Sequence, residues 1–436
     1  MNFSESEQYL LSLGNEVSAM KLGLENISRL LAALGKPEKK FLKVQVAGTN
    51  GKGSVCAFLD SICRQAGIAT GLYTSPHLVS ITERIKINGR DISETDFARL
   101  TTHIRETAEE LLATGVLEYR PTFFEQVTAI ALLAFAEANV KLAILETGLG
   151  GRLDATTAAN AEIAVLTQID YDHQSYLGET LAEIAAEKAA IIRPDSFVVA
   201  LRQKTAVARV IRERCLELGI EPVWATDDIV TTTRDGGKYP TFVHTFKTEK
   251  RKYRRIEPLI LGRHQAANAA LAIAVAEILD DEFFDISEMD ISLGLETAVH
   301  PGRLEFFDGV LFDGAHNPAG ARALADFLDE SISRPIVMVF GAMQDKNVSE
   351  IARILFPKVE TVILTSSANS RAFSAAEIAE LLAPQTVSNL VLTGSAAEAV
   401  DVARKVGGGE KQILVTGSLY LVGETMSIVR KTLEKD

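Results

Sequence analysis

The stretch Val46-Ala47-Gly48-Thr49-Asn50-Gly51-Lys52-Gly53-Ser54 joins two different patterns, and its reading decides the fold. Before it, Phe41 to Val46 is an apolar run of strand length. After it, Val55, Phe58, Leu59 and Ile62 recur at helical spacing. The glycines let the backbone curl so that several N–H groups and a helix N-terminus face phosphate oxygens, and Lys52 adds a point charge at the outer phosphates. This predicts a β-loop-α unit built to hold a polyphosphate. The strict phosphate-loop pattern fails twice: Val46 stands where the first glycine belongs, and Gly53 replaces the hydroxyl residue that normally holds Mg²⁺. Magnesium ligands must then come from elsewhere, as hard oxygen or nitrogen donors.

Such donors occur just beyond other apolar runs. Ser75 lies in Thr74-Ser75-Pro76-His77, Glu146 ends Leu142-Ala143-Ile144-Leu145-Glu146, and His173 closes Asp170-Tyr171-Asp172-His173. Taken singly they read as a turn serine, a helix-terminal acid and a surface histidine. Three of them at strand ends beside a phosphate loop point to a metal site, because a parallel sheet gathers its carboxyl ends on one edge. Glu146 also opens Glu-Thr-Gly-Leu-Gly-Gly-Arg-Leu-Asp-Ala-Thr, through Thr156. Its glycines suggest close approach to a ligand, with Arg152 available to pair with a carboxylate or phosphate.

Further out, residues 5 to 36 read as helical, with Leu22, Leu24, Ile27, Leu30 and Leu31 in register. Short apolar strands at 69–74, 141–145, 162–167 and 196–201 alternate with helical segments, which predicts a mostly parallel sheet covered on both faces. Asp227 to Arg255 reads as an exposed antiparallel appendage. A helix near 265–279 and an acidic connection from Asp280 to Asp290 follow. A second βα series then begins at Gly309, with strands at 310–312, 336–340, 362–364, 390–392 and 413–415. The expected architecture is α/β: an N-terminal, doubly wound ATPase-like phosphate-loop domain over residues 1–297 and a smaller Rossmann-like domain over 298–436.

The motifs, in order, are GTNGKGS, TSPH, ETGLGGRLDAT, DYDH, EKAAII, HPGRLE, DGAHNP and GSLYLVG. Their succession over the whole chain resembles the folylpolyglutamate synthases and bifunctional dihydrofolate synthases, within the Mur ligase superfamily. The resemblance implies an ATP-dependent ligase that joins L-glutamate to a pterin-linked carboxylate, dihydropteroate or a reduced folate, through an acyl phosphate. It implies ATP held by Gly48, Thr49, Asn50, Gly51, Lys52, Gly53 and Ser54, with nucleotide contacts from Asn268, Arg303 and Asp313. It further implies Mg²⁺ on Ser75, Glu146 and His173, a carbamylated Lys188 in the EKA motif, and a catalytic set of Lys52, Lys188 and His316. The TSPHL and TFFE stretches are the expected pterin site, although Phe123 and Phe124 read equally as core. Two positions depart from the family pattern: His300 replaces the usual tryptophan before Pro-Gly-Arg, and Thr157 stands where asparagine is common. A cell-wall amino-acid ligase and a non-catalytic nucleotide-binding module are the other readings.

Composition limits the choice. The formal charge of −13 argues against a nucleic-acid partner, and an acidic start without a basic segment and apolar run argues against a secretory leader. Cys56, Cys63 and Cys215 are odd in number and read as reduced, packed thiols. The expectation is a monomeric cytoplasmic enzyme whose partners are small molecules, with neither nucleic acid nor membrane among them.

Overall fold

The computed structural model describes residues 1–14, 23–234, 239, 241–382 and 389–433. The expected N-terminal helix is two: α1 (Phe3–Ser12) ends before Gly14, whose φ of 96° leaves the helical region, and α2 is Glu25–Ala33. Leu22, placed in that helix by its spacing, lies outside the described residues. The β-loop-α unit follows as β1 (Leu42–Ala47) and α3 (Lys52–Gln65). The chain continues through β2 (Thr70–Tyr73), β3 (Ile85–Ile87), β4 (Arg90–Asp91), α4 (Glu94–Ala113), α5 (Phe123–Glu137) and β5 (Leu142–Glu146). Next come β6 (Ile163–Leu166), α6 (Gln174–Leu177), α7 (Leu181–Ala189), β7 (Phe197–Ala200), α8 (Thr205–Glu217) and β8 (Val223–Trp224).

These strands form one eight-stranded sheet in the order β4-β3-β2-β5-β1-β6-β7-β8. The run from β2 to β8 is parallel, and β3 and β4 add antiparallel at one edge. The phosphate-loop strand β1 therefore lies between β5 and β6, and its carboxyl end opens beside both of theirs. One apolar cluster joins Leu145 and Ala143 to α1, α2, α4 and α5, and a second joins Ala47 and Leu166 to α7 and α8. Between them they cover both faces, as the runs of Val, Ile and Leu predict. Helix α5 is apolar all round and buried from Phe123 to Ala136.

The expected appendage contains β9 (Ile229–Arg234), β10 (Thr241–Lys247) and β11 (Lys252–Ile256), in the order β11-β10-β9. It is less exposed than expected: Phe242, Phe246 and Tyr253 are 2%, 0% and 0% accessible. Alternation in Thr241-Phe242-Val243-His244-Thr245-Phe246 puts both phenylalanines on one face, and that face is covered. Helix α9 (Gln265–Glu282) supplies Glu277, which accepts from the Tyr253 hydroxyl at 3.0 Å. The acidic connection after α9 is in part a helix, α10 (Glu288–Thr297). Ser287 caps it by accepting from Asp290 N, and the Asp290 carboxylate accepts from Ser287 N in return.

The second series contains β12 (Glu305–Phe307), β13 (Val310–Phe312), α11 (Pro318–Ser331), β14 (Ile336–Phe340), α12 (Val348–Leu355), β15 (Thr361–Leu364), α13 (Ala375–Glu380), β16 (Asn389–Leu392), α14 (Ala396–Gly407), β17 (Gln412–Thr416) and α15 (Leu419–Leu433). Its sheet runs β12-β13-β17-β14-β15-β16, all parallel except β12. The chain separates into two compact units. The first holds residues 1–230, 245–256 and 267–298, and the second holds 231–244, 257–266 and 299–436. The second thus takes in two earlier segments as well as the C-terminal series, with Phe242 packed in the same apolar cluster as Leu304, Leu311 and Phe327. No helix among the described residues is long and apolar enough to cross a membrane. The three cysteines are unbridged and buried.

Helices α3 and α10 approach so closely that a Cβ on Gly294 would collide with the backbone of Ile62. Overpacking of this kind costs about 1–3 kcal/mol. Gly294→Ala is expected to lower unfolding stability by that amount, read as a fall in the urea midpoint with an unchanged m-value.

Candidate active site

The phosphate loop closes α3 with Gly51 at φ 88°, a left-handed conformation that glycine adopts without strain. A Cβ there would also run into the Asn268 side-chain carbonyl, so Asn268, on α9, packs directly on the loop. The loop is tied to the turn after β6. Gln168 O accepts from Thr49 N at 2.8 Å and from Asn50 N at 3.2 Å, and Thr49 Oγ1 donates to Asp170 O at 2.9 Å. Lys204 holds the Asp170 carboxylate at 2.9 Å. The pairing of Asp170 with Lys204 spans 34 residues and leaves no local trace in the sequence.

Two ammonium groups converge on one carbonyl. Lys52 Nζ donates to Gly48 O at 3.2 Å and Lys188 Nζ donates to the same oxygen at 2.8 Å. Lys188 comes from the last turn of α7 and is 4% accessible. Burial, reinforced by the charge of Lys52, pushes its ammonium down to about 7, while Asp172, Asp154 and Glu187 pull the other way.

Glu146 ends β5 and pairs in register with Val46, the first residue of the phosphate-loop motif. It is 5% accessible, and its carboxylate accepts from Ser75 N at 3.1 Å. Ser75 and Glu146 are therefore brought together beside the loop. His173 caps α6 with φ 49°, and its amide donates to the Asp172 carboxylate at 2.9 Å. Among the described residues no three His, Cys, Asp or Glu side chains gather into a metal-holding group.

The glycine loop after Glu146 is folded on itself by Asp154. One carboxylate oxygen accepts from Gly148 N and Leu149 N at 2.8 and 3.0 Å, and the other accepts from Thr156 N and Thr156 Oγ1. Arg152, read as a ligand-pairing group, is already paired: its guanidinium meets Glu187 on α7 at 2.9 Å. The spacing of 35 residues hid that partner. Gly151 has no room for a side chain, because a Cβ would lie 2.8 Å from Glu187 O and 2.9 Å from Lys188 O.

The two expected acceptor-binding stretches meet through Arg84. Its Nε donates to His77 Nδ1 at 2.8 Å, and its guanidinium lies 5.2 Å from the centre of the Phe123 ring. Burial and Arg84 push His77 down to about 3, so the imidazole is neutral. Phe123 and Phe124 are 3% and 9% accessible and belong to the core cluster, while Phe124 also lies against Gly148.

In the second unit, Asp313 accepts from Leu304 N and Ala315 N, both at 3.0 Å, and burial raises its carboxyl despite Arg303. Asn317 caps α11, its side-chain oxygen accepting from Gly320 N. Arg303 donates to Gly314 O at 3.3 Å and His316 Nδ1 lies 2.8 Å from the same oxygen. Arg303, Asp313 and His316 thus share one turn.

The Mur ligase middle domain pattern matches residues 46–276, and the Mur ligase glutamate ligase domain matches residues 302–419. The chain is 35% identical over 423 residues to the dihydrofolate synthase/folylpolyglutamate synthase of Bacillus subtilis, covering 95% of this chain and 96% of that one. The chain belongs to the folylpolyglutamate synthase and dihydrofolate synthase family of Mur ligases. Its fold is similar to that of the Mycobacterium tuberculosis folylpolyglutamate synthase complexed with ADP, at 30% identity, 98% coverage of both chains and a TM-score of 0.90. An FPGS–AMPPCP–folate complex is 27% identical, with a TM-score of 0.83 over 99% of this chain and 100% of that one. The chain is therefore an ATP-dependent ligase.

Lys188 offers a direct check on its surroundings. Between pH 7 and the ordinary lysine value of 10.5, the unfolded chain holds a proton on Lys188 that the folded chain lacks. Stability therefore rises with pH through that window, and the cost of burial is complete below pH 7. Lys188→Met is expected to stabilise the ligand-free protein at pH 7 and to do so less at pH 9. The difference in urea stability should narrow by at most about 1.4 kcal/mol per pH unit.

Proposed function

We propose that this protein ligates L-glutamate to the carboxylate of dihydropteroate or a reduced folate, using ATP. The observation that carries the reading is the convergence of Lys52 and Lys188 on Gly48 O, at the N-terminus of α3 and beside Glu146. That arrangement stabilises an anion that changes its bonding, as a phosphoryl group does in transfer. In the first unit ATP is assigned to Gly48 to Ser54 and Asn268; in the second, the family resemblance assigns nucleotide contacts to Arg303 and Asp313 and a catalytic role to His316.

The acceptor carboxylate attacks the γ-phosphorus and ADP leaves, giving an acyl phosphate. The amine of glutamate then adds to the acyl carbon, and phosphate departs as the amide forms. Lys52 and the first N–H groups of α3 carry the charge that accumulates on the phosphoryl oxygens. The pterin end of the acceptor lies against the TSPHL and TFFE stretches, where neutral His77, Arg84 and Phe123 are linked.

Ser75, Glu146 and His173 would hold Mg²⁺. A hydroxyl, a carboxylate and an imidazole, with few strong protein ligands, suit an ion that keeps several waters and takes its remaining oxygens from substrate phosphates. When bound, it supplies positive charge to those phosphate oxygens. Lys188 is the residue assigned to carbamylation. An amine held near 7 is substantially neutral at physiological pH, so its nitrogen can add to CO₂ and lose a proton to solvent. The product is a carbamate with two hard oxygens.

ATP turnover with dihydropteroate and with tetrahydrofolate, each with and without glutamate, tests the reading. Phosphate release should require the folate-type acid and glutamate together. Turnover on a muramyl nucleotide with none on either folate acceptor would assign the chain to cell-wall ligation instead. Lys52→Ala should lower kcat by about a hundredfold or more while the circular dichroism spectrum stays unchanged. Lys188→Ala should lose most activity and recover part of it in acetate, whose carboxylate replaces the carbamate; full activity without acetate would remove Lys188 from the site.

A further inference from the structure

Gln45 lies on β1, three residues before Gly48, and is wholly buried. Its amide nitrogen donates to Thr156 Oγ1 at 2.9 Å and to Thr157 Oγ1 at 2.7 Å. Neither hydroxyl has a proton to return. Thr156 Oγ1 donates to Asp154 Oδ1 at 2.5 Å, and Thr157 Oγ1 donates to Gly151 O at 2.7 Å. A hydroxyl has one proton, so both meet Gln45 as acceptors.

The two branches lead to different parts of the site. Through Asp154, the first reaches Gly148 N and Leu149 N, two and three residues beyond Glu146. Through Gly151, the second reaches α7, where Arg152 N donates to Glu187 O at 2.9 Å and Gly151 packs on the Lys188 carbonyl. Lys188 then returns to Gly48 O. The circuit begins at Gln45 and ends three residues later on the same segment of chain. It spans the whole glycine loop between the residues assigned to metal and phosphate.

We propose that Gln45 and Thr157 are positioning residues for ligation: their hydrogen bond fixes the glycine loop against β1 and so sets Glu146 and Lys188 relative to Gly48. At 0% and 2% accessibility they act through the loop and not by touching substrate. The proposal rests on the assignment of Glu146 and Lys188 to the phosphoryl-transfer site.

Gln45→Leu removes both donors, Thr157→Val removes one hydroxyl at nearly constant shape, and Thr157→Ser restores it. Steady-state kinetics for ATP, acceptor and glutamate, with melting temperatures, are measured on these variants and on the Gln45→Leu/Thr157→Val double variant. Loosening a group that acts in the transition state lowers kcat and leaves KM alone. Each of the two disruptive variants should lose about tenfold to a hundredfold in kcat, with KM values within about twofold of the parent. Thr157→Ser should keep kcat. Both remove the Gln45–Thr157 bond, while Gln45→Leu also removes the bond to Thr156 and Thr157→Val the bond to Gly151 O, so the double variant should lose clearly less than the product of the two single losses. Unchanged kcat in Thr157→Val, losses that multiply in the double variant, KM values that rise as kcat falls, or a Thr157→Val protein too unstable to assay would each overturn the proposal. Failure of the parent protein to ligate glutamate would overturn the functional reading instead, so the two failures are distinguishable.

Discussion

One carbonyl oxygen, Gly48 O, receives two lysine side chains, and burying the second of them beside the first is the constraint on which the phosphate-loop region of the first unit depends. Lys52 arrives from the helix that follows the phosphate loop and Lys188 from a helix more than a hundred residues later, yet both are anchored at Gly48 O. Burial and the neighbouring charge suppress the protonation of Lys188, and the carboxylates of Asp172, Asp154 and Glu187 temper that suppression. Such a site attracts an anion. This answers the difficulty posed by a chain of net charge −13 that handles polyanionic substrates: positive charge and oriented N–H groups are concentrated locally while the surface as a whole stays acidic.

The order of the sheet makes this concentration possible. With β5 on one side of β1 and β6 on the other, the turns after all three strands open at one edge. Glu146 is set there by its register with Val46, and the turn after β6 is stitched to the phosphate loop by Gln168 and Thr49. The glycine loop between β5 and β6 is held from within by Asp154 and from outside by Arg152 and Glu187. No metal is needed to describe this framework. It exists in the hydrogen bonds of the chain itself.

Much of the architecture was legible because its signals are local. An apolar run, a glycine turn with a lysine and a helical repeat are read within twenty residues, and Ser75, Glu146 and His173 stand out because each follows a strand. What escaped notice was long-range or disguised. Gln45 and its threonines are 111 and 112 residues apart, so a buried glutamine on a strand gives no hint of its partners. The partner of Arg152, Glu187, lies 35 residues on and leaves no local pattern. Helix α10 was hidden in an acidic run whose capping serine and aspartate could have betrayed it, and the alternation in 241–246 marked a covered face that its charged neighbours obscured.

The margins of the eight-stranded sheet have a different consequence. Its outer strands, β4 and β8, are each two residues long. Arg90 and Asp91 present charge at one border, and at the other the ring of Trp224 lies under the Arg212 guanidinium, 5.2 Å away. A border of two peptide units offers an incoming strand almost nothing to copy, and charge at that border makes the approach less favourable still. A wide, apolar, parallel sheet of this kind is the sort of surface that seeds intermolecular β-assembly when left open. Here the sheet ends at both margins in strands of two residues, so a second molecule finds few unpaired backbone groups to extend.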